Sequence, residues 1–136
     1  MAATGFESSG NYYPGLVSDD TALSASQYRA VQVGTGVNGG VWRAATAGQS
    51  GLVGVLQDKP ALGDACVVQF DGITKWEAGV AITKGAKVVA DATGRAITGA
   101  ATASHHCYGI ALEAASAAGS IIAVAFSYHG PMVNAS

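Results

Sequence analysis

Between Tyr28 and Phe126 the chain is a succession of short β-prone runs, YRAVQV, GVWRA, GLVGVL, ACVVQF, ITKWEA, AKVVA, RAIT, YGIAL and SIIAVAF, separated by turn-forming residues. Runs this short, rich in β-branched and aromatic residues, read as strands, because a helix needs a longer stretch of 3.6-residue periodicity. The spacing predicts an all-β fold: a single compact domain of short strands, barrel- or sandwich-like, over residues 27–128, followed by a tail over 129–136. The opening segment, through NYYPGLVSDDTALSAS, mixes small, polar and aromatic residues around Pro14 and follows neither period. It predicts an extended N-terminal arm over residues 1–26.

One turn is legible residue by residue. VVADATGRAIT puts Asp91 at the first corner of a type I turn and Gly94 where a hairpin needs a left-handed residue. A calcium loop built on Asp91 would need further carboxylates that the stretch lacks.

The Ala-rich ALEAASAA has helical propensity, but an internal comparison argues against a helix. GVLQDKPALGDACVVQF, residues 54–70, aligns with GIALEAASAAGSIIAVAF, residues 109–126, after a one-residue insertion. Pro60 would break a helix in the first copy, so both copies read as strand, loop, strand. Val68 with Phe70, and Val124 with Phe126, then share a face. These four, with Val88, Ile110 and Leu112, are the expected core.

At 136 residues the chain fits one domain. Only 12% of it is charged, against 49% hydrophobic, and from Ala96 to Ser136 the single formally charged residue is Glu113. No apolar run reaches the ~18 residues that span a bilayer. The start lacks the basic-then-apolar order of a signal peptide, so the expectation is a soluble protein made in the cytoplasm, with no membrane partner. A net charge of −2 without a basic cluster argues against a nucleic-acid partner, since phosphate binding needs clustered lysine and arginine. A reducing compartment predicts that Cys66 and Cys107 are free, partly buried thiols.

Candidate chemistry is sparse. ASHHCYG sets His105, His106 and Cys107 side by side. On a strand His105 and Cys107 point one way and His106 and Tyr108 the other. Zinc needs three or four converging ligands, and the further candidates Cys66, His129 and Asp64 follow no ligand spacing. A Cys107 nucleophile lacks a cationic neighbour in sequence. GTGVNGG and GQSG do not follow the P-loop pattern, and Asp19 with Asp20 reads as a solvated turn rather than a carboxylate pair. No catalytic residue, no metal ligand, no cofactor and no enzymatic activity are expected.

The runs LSASQYRAVQVG, GVLQDKPALGDACVVQFDGITKWEAGVAITKGAKVVADATGRAITGA and YGIALEAASAAGSIIAVAF together resemble the small capsid cement, or decoration, proteins of tailed bacteriophages, over most of the chain from Leu23 to Phe126. The resemblance implies a β-rich, non-enzymatic protein on the outer surface of an assembled phage head, with the major capsid protein and neighbouring copies of itself as partners. By analogy with other decoration proteins those copies are expected as trimers.

Within that reading the arm carries attachment. Tyr12, Tyr13 and Pro14 are the expected anchors, since rigid aromatic side chains bury large area for little rotamer entropy and proline presets the chain direction. Leu16 and Val17 extend the contact. The alternative is a head-surface display module for a host glycan or cell-surface polymer, with Trp42, Trp76 or the tyrosines as stacking faces.

Overall fold

The computed structural model describes residues 11–132 except Val37 and Ala103, and for Pro14 the backbone alone. Its strands are β1 (Asn11–Ser18), β2 (Ala30–Val33), β3 (Gly40–Arg43), β4 (Leu52–Leu56), β5 (Ala65–Glu77), β6 (Lys87–Ala90), β7 (Ala96–Thr98), β8 (His106–Ala111) and β9 (Ile121–Pro131). One short 3-10 helix, Thr21–Ala25, follows β1, with Asp20 as its N-cap. The fold is all-β.

The strands form two successive rings joined by β5. In the first, the order β1-β3-β2-β4-β5 closes through antiparallel pairing of β1 with β5. β5 then bends at Gly72, and the side-chain amide of the buried Gln69 donates to the carbonyls of Asp71 and Ile73 on either side of the bend, at 2.9 and 3.0 Å. Beyond the bend β5 pairs with β9, and the order continues β9-β8-β6-β7. A parallel bridge between Ala78 and Ala96 brings β7 back to the end of β5.

The rings repeat one another in register. Val55 faces Gln69 as Ile110 faces Ala125. Val31 faces Gly54 as Val88 faces Gly109, and Ser18 lies parallel to Val41 as Ala78 lies parallel to Ala96. Turn hydrogen bonds recur too: Gly63 N–H donates to the Ser18 carbonyl and Gly119 N–H to that of Ala78, both at 2.8 Å. The likeness of residues 54–70 and 109–126 is thus the visible part of a duplication that spans each ring. It holds best where geometry forbids change. A Cβ on Gly54 would run into the Gln69 carbonyl and Val68, and one on Gly109 into Val124 and the Ala125 carbonyl.

Strand, loop, strand holds in both copies, since residues 112–120 contain no helix. Gly94 has φ 82° and donates its N–H to the Asp91 carbonyl at 3.1 Å, closing the β6–β7 hairpin as expected. Two clusters form the core: Leu23, Val31, Val41, Leu56, Cys66 and Val68 inside the first ring, and a larger one around Trp76, Val88, Tyr108, Ile122, Val124 and Phe126 that extends to Ala30 and Val55 of the first.

The expected core needs correction at Phe70, Ile110 and Leu112, which are half-buried. Phe70 and Phe126 hold equivalent positions, but Phe126 is enclosed by Trp76 and Tyr108 at ring distances of 5.5 and 5.8 Å. Phe70 meets only Tyr13 among the aromatic pairs of the described residues. Burial here depends on the neighbouring ring, which strand periodicity does not encode.

The segment read as an arm is extended, but its second half does not stand apart. Residues 11–18 pair with β5 and, at Val17 and Ser18, with β3. Register shifts between Asn11 and Tyr12 and between Tyr13 and Leu16 break the alternation by which a strand is recognised. Residues 1–10 lie outside the described part, as do 133–136 of the expected tail, whose first residues continue β9.

Candidate interaction surface

β1 brings the expected contact residues to one edge of the first ring. Tyr12 and Tyr13 are 38% and 41% exposed, and the Tyr13 ring stacks on Phe70 at 4.0 Å with 24° between planes. Leu16 and Val17 are half-buried, and Leu16 packs against the core cluster that holds Cys66. Pro14 lies in the same strand.

Beside this edge opens a groove of about 460 Å³, lined by Tyr13, Leu16, Val33, Val41, Leu52, Val53 and the backbone around Gly39. Val33 is 68% exposed, although period 2 puts it on the face of the buried Val31. The ring gapes there because β1 meets β3 only at its last two residues. Val33 and the Phe70 support of Tyr13 were missed from sequence, because the signal needed was the splay of β1 rather than a motif.

A second, shallower depression is lined by Asp19, Asp20, Thr21, Trp42 and Leu62. Its carboxylates are structural tethers. Asp19 accepts from the Trp42 indole N–H at 2.9 Å and from Gly36 N–H at 3.0 Å. Asp20 accepts from the N–H groups of Ala22 and Arg43, at 2.9 and 3.1 Å. Trp76, one of the two tryptophans considered as a sugar-stacking face, is fully buried and donates its indole N–H to the Gly94 carbonyl at 2.9 Å. It presents no face to a ligand.

The histidine pair is divided by the start of β8. His105 Nδ1 accepts from Ala100 N–H at 3.2 Å, while His106 Nδ1 lies 3.0 Å from the Tyr128 hydroxyl. Cys107 is buried, its thiol donating to the Gly109 carbonyl at 3.3 Å. A register shift between Cys107 and Gly109 lets Tyr108 be buried beside it, so strict alternation fails. Among the described residues no three His, Cys, Asp or Glu side chains gather as a metal site. Both cysteines are free, and burial, then the nearby Asp58 carboxylate, pushes the Cys66 thiol up to about 11.

The described residues thus define an all-β module with an apolar edge beside an open groove. Residues 17–126 match the family described as phage cement protein, and the chain belongs to that family, a structural component of a phage head. Its fold is similar to the solved N base of head fiber gp8.5 of bacteriophage phi29, with a TM-score of 0.62 and 18% identity over 86% of this chain and 93% of that one. No curated protein matches the chain.

Proposed function

We propose that the protein binds the outer surface of an assembled phage head and cements its lattice, contacting the major capsid protein and, as a trimer, its own neighbours. It acts without catalysis. The observation that carries this reading is the β1 edge: two exposed tyrosines and the groove at Val33, in a chain of the cement family with few charges to keep it apart from other proteins. Binding the shell but not its dissociated subunits stabilises the shell by mass action. A closed ring of copies buries neutral faces on a small domain.

Tyr12, Tyr13, Leu16 and Val17 form the shell contact, with Pro14 in the same strand. Because β1 closes the first ring, point substitutions test the contact better than truncation. The double variant Tyr12→Ser/Tyr13→Ser, folded by circular dichroism, is expected to co-sediment with empty shells at least about tenfold more weakly, equivalent to about 1.4 kcal/mol. Unchanged co-sedimentation would move the contact elsewhere.

A further inference from the structure

Each ring begins with a first strand, β1 in one and the second half of β5 in the other, paired antiparallel with the ring's last strand. β9, the last strand of the second ring, runs on past Phe126 as β5 runs on past Phe70. Its continuation repeats β1. Residues 127–134 read SYHGPMVN, where β1 reads NYYPGLVS. Tyrosine follows a small polar residue in both, a proline and a glycine adjoin at the centre in opposite order, and Leu-Val or Met-Val precedes a final small polar residue. A glycine of positive φ lies at the centre of each, Gly15 at 85° and, one place earlier in its run, Gly130 at 91°.

Position in the fold agrees with the sequence. Leu16 faces Cys66 in the first ring as Trp76 faces Ile122 in the second. Met132 stands as far beyond Phe126 as Trp76 stands beyond Phe70. The sequence pattern of residues 127–134 is thus that of a further first strand, beside the two that open the described rings.

We propose that the third first strand serves a second copy of this chain: residues 127–134 of one molecule take the place of β1 in the first ring of another. Within its own molecule the described part of this segment, residues 127–132, is held along β8, by pairing of Pro131 with His106 and of Gly130 with Cys107 and by the Tyr128–His106 contact. Its other edge carries no strand among the described residues past Phe126.

The recipient site is suited to exchange. Among the described residues the second ring takes its first strand directly from the first ring through β5, whereas the register of β1 is broken twice. Leu16 leaves a groove beside Val33 and Val41, whereas the equivalent residues of the second ring, Trp76, Ala90 and Ala96, are buried together. Exchanging like elements between protomers is a low-cost route to association. It also frees Tyr12 and Tyr13 to reach outward as an arm. This inference rests on the self-association in the reading above.

Val17 pairs with Ala65 across the first ring, and Val133 is the residue of the tail that corresponds to Val17. Two full-length chains, Ala65→Cys and Val133→Cys, are purified separately, mixed at micromolar concentration, oxidised and mapped by mass spectrometry. Paired antiparallel residues lie within disulfide reach, and docking brings the two thiols to an effective concentration toward the millimolar range. The expected result is a 65–133 link between unlike chains, at least about tenfold over either like-with-like link. Chains that sediment as oligomers without this excess overturn the exchange and leave self-association standing. Chains that remain monomeric by sedimentation overturn both.

Discussion

Tyr28 occupies in the first ring the position that Gly85 occupies in the second. The N–H of Tyr28 donates to the Leu56 carbonyl and that of Gly85 to the Ala111 carbonyl, both at 2.7 Å, and both residues are left-handed, with φ 64° and 89°. One ring thus keeps the glycine its backbone asks for. The other places a tyrosine there, whose ring lies 5.6 Å from Lys75 Nζ.

Gly85→Ala isolates the cost of that conformation, because a Cβ on Gly85 would meet no atom within 4 Å. The left-handed region costs a non-glycine residue about 1–2 kcal/mol, and thermal or urea unfolding is expected to show a loss of that size. An unchanged midpoint would mean that the backbone moves out of the left-handed region at little cost.

Gly54→Ala and Gly109→Ala probe a different constraint, the close approach of paired strands. The added Cβ would lie 2.7 Å from Val68 Cγ1 in the first ring. In the second it would lie 2.6 Å from Val124 Cγ1 and 2.8 Å from the Ala125 carbonyl oxygen. Overpacking of this kind costs about 1–3 kcal/mol or more. The two variants are expected to lose similar stability in denaturant titrations, and a loss in only one would deny that the rings are equivalent.

Those glycines also show why part of the architecture was legible in the sequence. The repeat could be seen at residues 54–70 and 109–126 because strand contact fixes the glycines and the aliphatic positions opposite them. Elsewhere a shared backbone tolerates unlike residues. Tyr28 stands for Gly85 and Leu16 for Trp76, so the full duplication was invisible. The Asp91–Gly94 turn was readable because its chemistry is local. β1 was not recognised as a strand, because the irregularities around Pro14 and Gly15 erase its alternation. Tyr12 and Tyr13 stand out in the sequence for their aromatic character and are exposed, while Val33 and the groove depend on how far β1 splays from β3.

Asp91 ties the β6–β7 hairpin. Burial pushes its carboxyl up, but the N–H groups of Thr93 and Arg95, the Thr93 hydroxyl and the Arg95 guanidinium together hold it below its ordinary value. A depressed folded-state pKa adds stability that is present above the unfolded carboxylate pKa of about 3.9 and is lost as pH falls through the folded value. The stability difference between the natural chain and Asp91→Asn is therefore expected to be largest near neutral pH and to shrink in acid. A difference independent of pH down to 2 would remove the charge from the account.

Cys66 is expected to be chemically quiet. With its thiol pushed up to about 11, about a thousandth of it is thiolate at pH 8, far less than for an ordinary cysteine. Iodoacetamide labelling of the folded protein at that pH should be slow at Cys66 and fast after denaturation. Rapid labelling in the native state would show that β1 does not keep the ring closed.

The cementing role is tested most directly by heating empty phage shells with and without the protein and following their integrity by light scattering and electron microscopy. Decorated shells are expected to come apart at a higher temperature. The shift should grow with free protein, reflecting about 2.7 kcal/mol per site at a hundredfold excess over Kd. Shells that bind the protein to saturation and still disassemble at the temperature of bare shells would contradict the account.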